Sequence, residues 1–395
     1  METNKQSKLA NYDGFSLVSG GLIYKLMTLI FKTKDPVKSR RQRAFFFGLI
    51  AWLPLSIMIL LSGENSALTD EISFLKHFEI HIRFLFAVPF LIFIEKIVDH
   101  SFIAYMKTSD ELTDDKEQSK FDRLVINIDK LSNLYLPEIL ILIIIYTMIF
   151  MRWNDPSLFD ASDGFLYNQD GTFSAAGIYL LFVSLPIFQL LLFRWFWRWI
   201  IWIYSLIKIS KFTFFIDAMN IDEKAGLTYL NMVPSMFSII FFALAAVLSS
   251  KIGFEIMNTE MTLKSYYMDI LFFAVGVPVL LYSPLFIFTP LLHKTKSKAI
   301  HEMGALVAKH NQNYMKKWVE PTQAPKEPIL GSVDNSSLSD INGGYAPAIS
   351  MNFIPVNSKM LILSCAILLV PFVPLIFTYY SFFELAGMIL NSVFG

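Results

Sequence analysis

Apolar residues in this chain come in long runs separated by short polar segments, not at amphipathic spacing. Runs of about 20 apolar residues match a helix that crosses roughly 30 Å of hydrocarbon. They fall at about 44–62, 82–98, 136–152, 176–208, 232–250, 266–292 and 360–380. The expected fold is an all-α, polytopic transmembrane helix bundle of about seven spans. The fourth run shows no stop before Ser210. As a straight helix it is roughly 50 Å long, so it either protrudes from the membrane or bends at Pro186 or near Arg194. Pro278, Pro284 and Pro290 in the sixth run, and Pro371 and Pro374 in the seventh, predict kinks.

Three segments have a different pattern. Residues 15–33 are apolar but interrupted by Gly20, Gly21 and Lys25. They read as a short amphipathic helix on the membrane surface, with a span as the alternative. Phe121, Leu124, Val125, Ile128 and Leu131 form one helical face in the loop after the second run. Residues 297–318 read as a helix with Ile300, Met303, Val307, His310 and Tyr314 on one side; beyond Trp318, Pro, Gly, Ser and Asn predict turns and loops. The chain thus divides into a basic segment 1–43, a six-span bundle 44–292, a helix-plus-loop segment 293–358, and a last span with a short tail, 359–395.

Charge orients the bundle. Lys32, Lys34, Lys38, Arg40, Arg41 and Arg43 precede the first span, and His293, Lys294, Lys296 and Lys298 follow the sixth. The loops 63–80 and 153–175 are acidic instead. The positive-inside rule then puts the N-terminus in the cytoplasm and the C-terminus outside. Composition agrees with a membrane protein: 54% hydrophobic and 17% charged, against about 25% charged in soluble domains. Formal net charge is zero, so no global field argues for nucleic acid. The single cysteine, Cys365, excludes an intrachain disulfide. The polar N-terminal stretch carries no expected cleavable signal peptide.

Several stretches, HIRFLFAVPFLIFIE (81–95), RWFWRWIIW (194–202), DEKAGLTYL (222–230), HEMGALVAKHNQNYMKKW (301–318) and EPILGSVDNSSLSDI (327–341), resemble one family of multi-pass bacterial inner-membrane proteins that has no assigned activity. The resemblance implies the same topology and an inner-membrane location, and supplies no activity. Where relatives more typically carry His-Pro-Asp and a Gly-Gly pair, this chain has Met219-Asn220-Ile221-Asp222 and Gly226. A site depending on that His would be lost here.

No catalytic, nucleotide, cofactor or metal motif stands out. Arg194 and Arg198 share a helical stripe, beside Trp195, Trp199 and Trp202. They read either as an intramembrane anion site or as snorkelling anchors. Glu95 and Asp99 lie one turn apart near the end of the second span, and Glu138 begins the third. With the two arginines they form a candidate buried-charge cluster, or else ordinary ion pairs at helix ends. Trp195, Trp197, Trp199, Trp202, Arg40, Arg41 and Arg43 are candidate lipid-interface residues. His77 and His81 share a face at i, i+4, but no third metal ligand is evident. Asp269 reads as a helix-end acid or a substrate counter-ion, and His310 as a packing residue. Ser332, Asp334 and Asp340 belong to a candidate docking loop. The expected activity is that of a membrane platform whose cytoplasmic face binds a protein partner, through 293–358, or anionic lipid head groups. The alternative is a small-solute or ion transporter that uses charges at span ends.

Overall fold

The computed structural model describes residues 15–18, 20–21, 24–25, 36–61, 77–154, 167–168, 172–320 and 328–378. These are helices linked by turns, with no strand among the described residues. The expected all-α bundle is the architecture observed. Helix α1 is Pro36–Leu61. Helix α2 covers 78–93, and α3 is Glu95–Leu112. Helix α4 is Gln118–Ser132 and α5 Leu136–Asn154. Helix α6 covers 175–209, and α7 is Met232–Asn258. Helix α8 covers 267–282 and α9 is Thr289–Tyr314. Helix α10 is Val333–Ser350, and α11, Ser358–Leu369, continues as a 3₁₀ turn, Val370–Thr378.

Among the described residues, six stretches are long and apolar enough to cross a membrane: Ser39–Leu61, Asp115–Met151, Ala175–Ile209, Leu227–Asn258, Leu263–Val319 and Ser358–Thr378. The run at 82–98 is not one of them, because its helix breaks at a turn on Ile94. Large apolar side chains such as Ile143, Ile144, Phe150 and Ile362 remain exposed on these helices, as a bilayer-facing surface requires. Helix α7 packs against α2, α3, α8 and α11, while α6 packs against α2, α4 and α5.

Prolines set the irregular turns. The π-helical turns Ile82–Ala87, Leu180–Ser184 and Phe272–Gly276 each end two residues before a proline: Pro89, Pro186 and Pro278. A proline ring clashes with the carbonyl four residues back and offers it no N–H, and a widened turn relieves both problems. Helix α6 thus runs past Pro186 and Arg194 to Ile209. Pro54 removes the N–H that would serve Ile50, and the Tyr179 hydroxyl donates to the Ile50 carbonyl instead, at 2.9 Å. Ser184 reaches the Ala51 carbonyl at 2.7 Å, so α6 is bonded to α1 at mid-bundle.

Two expectations are corrected. Residues 15–18 and 20–21 are not a surface helix: Phe15, Leu17 and Val18 are buried in the core in a non-helical strap. The rest of 15–33 lies outside the described residues apart from Tyr24 and Lys25. The segment after Trp318 is not loop throughout, since Val333–Ser350 is helical and packs along α9. Packing outweighs its Gly, Ser and Asn content: Tyr345 lies over Gly304, where an added Cβ would come within 2.9 Å of its hydroxyl.

Candidate functional site: a buried charge network under a strap

Stripe positions on α6 carry Arg194 and Arg198 inward, 7% and 3% exposed. Arg194 Nε lies 3.1 Å from Glu138 Oε1 in the first turn of α5. Its guanidinium also donates to the carbonyls of Val18 and Gly20, both at 3.4 Å. Arg198 donates to the Ser132 carbonyl at 2.8 Å and the Gly20 carbonyl at 3.2 Å. Ser132 ends α4, where a cation meets the negative end of the helix dipole. The guanidinium groups are therefore enclosed, and the snorkelling alternative is not what the fold adopts.

The acids split between partners. Glu95, in the first turn of α3, takes a hydrogen bond from Arg43 of α1 at 3.0 Å, both groups buried. Asp99 accepts from the Ser16 hydroxyl and from the Val18 N–H, at 3.1 Å. The strap is thus held by a carboxylate on one side and two guanidinium groups on the other. Close approach requires its glycines. A Cβ on Gly20 would lie 2.3 Å from the Ser132 carbonyl oxygen, and one on Gly21, which has φ +99°, would lie 2.1 Å from Glu138 Oε1. Arg43, Arg194 and Arg198 balance Glu95, Asp99 and Glu138, so the network carries no formal charge.

Of the candidate cluster, Arg194 and Glu138 come together as a pair; Glu95 and Asp99 join the network through Arg43 and the strap. Local pattern does not bring Arg43, Ser16 and Gly20–Gly21 into the network: Arg43 lies 52 residues from Glu95, Ser16 83 from Asp99, and the strap carbonyls of Val18 and Gly20 more than 170 from Arg194 and Arg198. The lipid-interface set is partly overturned. Arg43 is buried and paired, with its guanidinium over the Tyr24 ring. Trp195 and Trp202 are core residues, and the Trp195 N–H donates to the Leu91 carbonyl at 3.1 Å, beside the break after α2. Trp197 and Trp199 are half-buried and Arg41 is exposed, positions compatible with an interface.

The remaining candidates have structural partners. His81 accepts from the Trp52 indole at 2.9 Å, and His77 stacks on Phe254 with centroids 4.2 Å apart. Asp269 is exposed on α8. His310 contacts Ser337 at 3.3 Å between α9 and α10. Asp334 pairs with Lys317 and accepts from the Trp318 indole at 3.1 Å, which holds its carboxyl below the ordinary carboxylate range. Ser332 precedes α10 and Asp340 is exposed on it, so the docking-loop set lies on and beside a helix.

Asp222 accepts from the N–H groups of Lys224, Gly226 and Thr228 at 2.9, 2.9 and 3.2 Å. Its turn contains Glu223 and Ala225 at positive φ. Buried Asn231 joins this loop to the start of α11: it donates to the Pro355 carbonyl at 2.6 Å and accepts from the Asn357 N–H at 2.9 Å. Comparisons with protein-family models, with curated proteins and with solved structures return no match to this chain.

Proposed function

We propose that this chain is a multi-pass platform of a bacterial inner membrane that binds a protein partner through the hairpin of α9 and α10. Seven spans are proposed, with 82–98 as the second, the N-terminus cytoplasmic and the C-terminus outside. The observation that carries the reading is the hairpin's free end. Leu330 and Val333 are 85% and 81% exposed there, and Met315, Val319 and Ile329 are also exposed. The flanking helix carries His293, Lys294, Lys296 and Lys298, too polar for hydrocarbon. Apolar side chains grouped on a water-exposed tip, beside Lys316 and Lys317, mark an interaction surface. Asp334 supports it from beneath by tying Lys317 and Trp318 to α10. Anionic lipid is proposed as a second ligand at the same side of the membrane. The transport reading drew on the charges at span ends, and each of the five in the candidate cluster, Arg194, Arg198, Glu95, Asp99 and Glu138, has a partner within the fold.

The test is a photo-crosslinking amino acid at Leu330 and at Val333, irradiated in intact membranes, with Met257 as a control at the far end of α7. The expected result is one discrete protein adduct from both hairpin sites and none from Met257. Adducts equally strong from Met257, or none from either hairpin site, would overturn the platform reading.

A further inference from the structure

Helix α6 turns one stripe of side chains away from the bundle. Ile178, Phe182, Phe196, Ile200 and Ile207 are exposed on it. Their spacings of four and seven keep to one helical face. From Ile178 to Ile207 this face is apolar except at Gln189, whose side chain is half-buried. Its Oε1 lies against the fold with no hydrogen-bond partner. Its Nε2 is not enclosed in this way and bonds to nothing either. Neighbouring polar groups of the same helix are satisfied. Tyr179 and Ser184 donate to carbonyls of α1, and Arg194 is held by Glu138 and the strap.

Depth makes this unpaired amide informative. Gln189 lies 14 residues past Ala175 and 19 before the exposed Lys208, about 21 and 28 Å along the helix at 1.5 Å per residue. Helical side chains lean toward the N-terminus, here away from Lys208 and into the hydrocarbon. The amide therefore reaches neither water nor head groups, and acyl chains offer it no acceptor. An amide left without hydrogen bonds in hydrocarbon is costly, and Gln side chains recurrently bond across membrane helices. We propose that α6 joins a second copy of this chain within the membrane, with the two Gln189 amides bonded to each other. An amide carries both a donor and an acceptor, so it is complementary to its own copy. A two-fold axis at Gln189 makes the bonds reciprocal, Nε2 of each copy donating to Oε1 of the other. The terminal torsion of a glutamine is soft, so the amide turns to present both ends. The rest of the stripe carries no charge for a second copy to repel, and its exposed apolar side chains pack across the same axis. The inference needs only α6 in a bilayer and does not rest on the hairpin.

The experiment counts copies of the full chain in liposomes by single-molecule photobleaching as the protein-to-lipid ratio is lowered. Wild type should bleach in two steps and pass to one step on dilution. Gln189→Leu, which makes the stripe wholly apolar, should weaken association at least fivefold and leave thermal unfolding unchanged. Gln189→Asn, which keeps the amide on a shorter stem, should fall between the two. In chains that also carry Cys365→Ser, Gln189→Cys should oxidise to a disulfide-linked dimer in native membranes. Ile362→Cys, on the exposed side of α11, should not. Wild type that bleaches in one step at every dilution would overturn the proposal. So would equal association of wild type and Gln189→Leu, or equal linkage from the two cysteine variants. Capture of a different polypeptide by a photo-crosslinking residue at Phe196, with no adduct between copies, would assign the stripe to another membrane protein and also overturn it.

Discussion

Removing one side of the Arg194–Glu138 pair should be far more harmful than removing both. At 3.1 Å and an effective dielectric of about 20, the attraction is about 5 kcal/mol. Burying each ion costs several kcal/mol, so the intact pair is near break-even against apolar replacements. Glu138→Leu leaves a cation in the core with two carbonyl contacts at 3.4 Å, and Arg194→Met leaves a carboxylate facing Gly21. Each single variant should lose about 3–5 kcal/mol. The double variant removes both charges but also a donor to the Val18 and Gly20 carbonyls. Arg198 still serves Gly20, so one carbonyl is orphaned and the double should lie only about 1–3 kcal/mol below wild type. The assay is reversible unfolding in mixed micelles followed by far-ultraviolet circular dichroism, with the four proteins forming a double-mutant cycle. Single losses below about 1 kcal/mol, or a double loss equal to their sum, would refute a buried and mutually dependent pair.

Gly21→Ala should release the strap, because its Cβ would sit 2.1 Å from Glu138 Oε1 at a backbone angle that favours glycine; faster limited proteolysis near residue 20 is the readout, and wild-type rates would contradict it. Asn231→Ala should destabilise the chain by about 2–4 kcal/mol, since it leaves buried groups on two loops unpaired; hydrogen exchange at 355–361 should rise with it. The Asp334 carboxyl titrates below 3.8 in the fold because Lys317 and Trp318 bond its ionised form, so its contribution is present above that value and fades as pH falls through the lowered one. The α9–α10 contact should loosen in acid by that route, and Asp334→Asn should remove this pH dependence of exchange in 333–340.

Much of the architecture was legible in the sequence, for a physical reason. A span must satisfy its own backbone and face lipid, so each apolar run of sufficient length becomes a helix whatever its neighbours are. The runs beginning at 44, 136, 176, 232, 266 and 360 are helices on that ground alone. Prolines 186 and 278 likewise announced irregular turns, although only the fold shows that each is met by a π turn just before it.

What the sequence by itself determined is therefore a helical membrane protein with its cations grouped along the chain and Arg194 and Arg198 on one stripe. What only the tertiary structure decided is which charges meet. Arg43 resembled its neighbours Arg40 and Arg41 in the basic run, yet it is the one buried against Glu95. Trp195 and Trp202 had the spacing of an interfacial belt and are core residues instead. Local pattern carries no information about long-range packing, so it shows neither the strap nor α10. Gly20 and Gly21 look like helix interruptions until Ser132 and Glu138 are placed against them, and the small residues of 333–350 look like turns until α9 lies alongside. Interior charges are tolerable only where a specific partner compensates their lost solvation, and that partner is chosen by the fold.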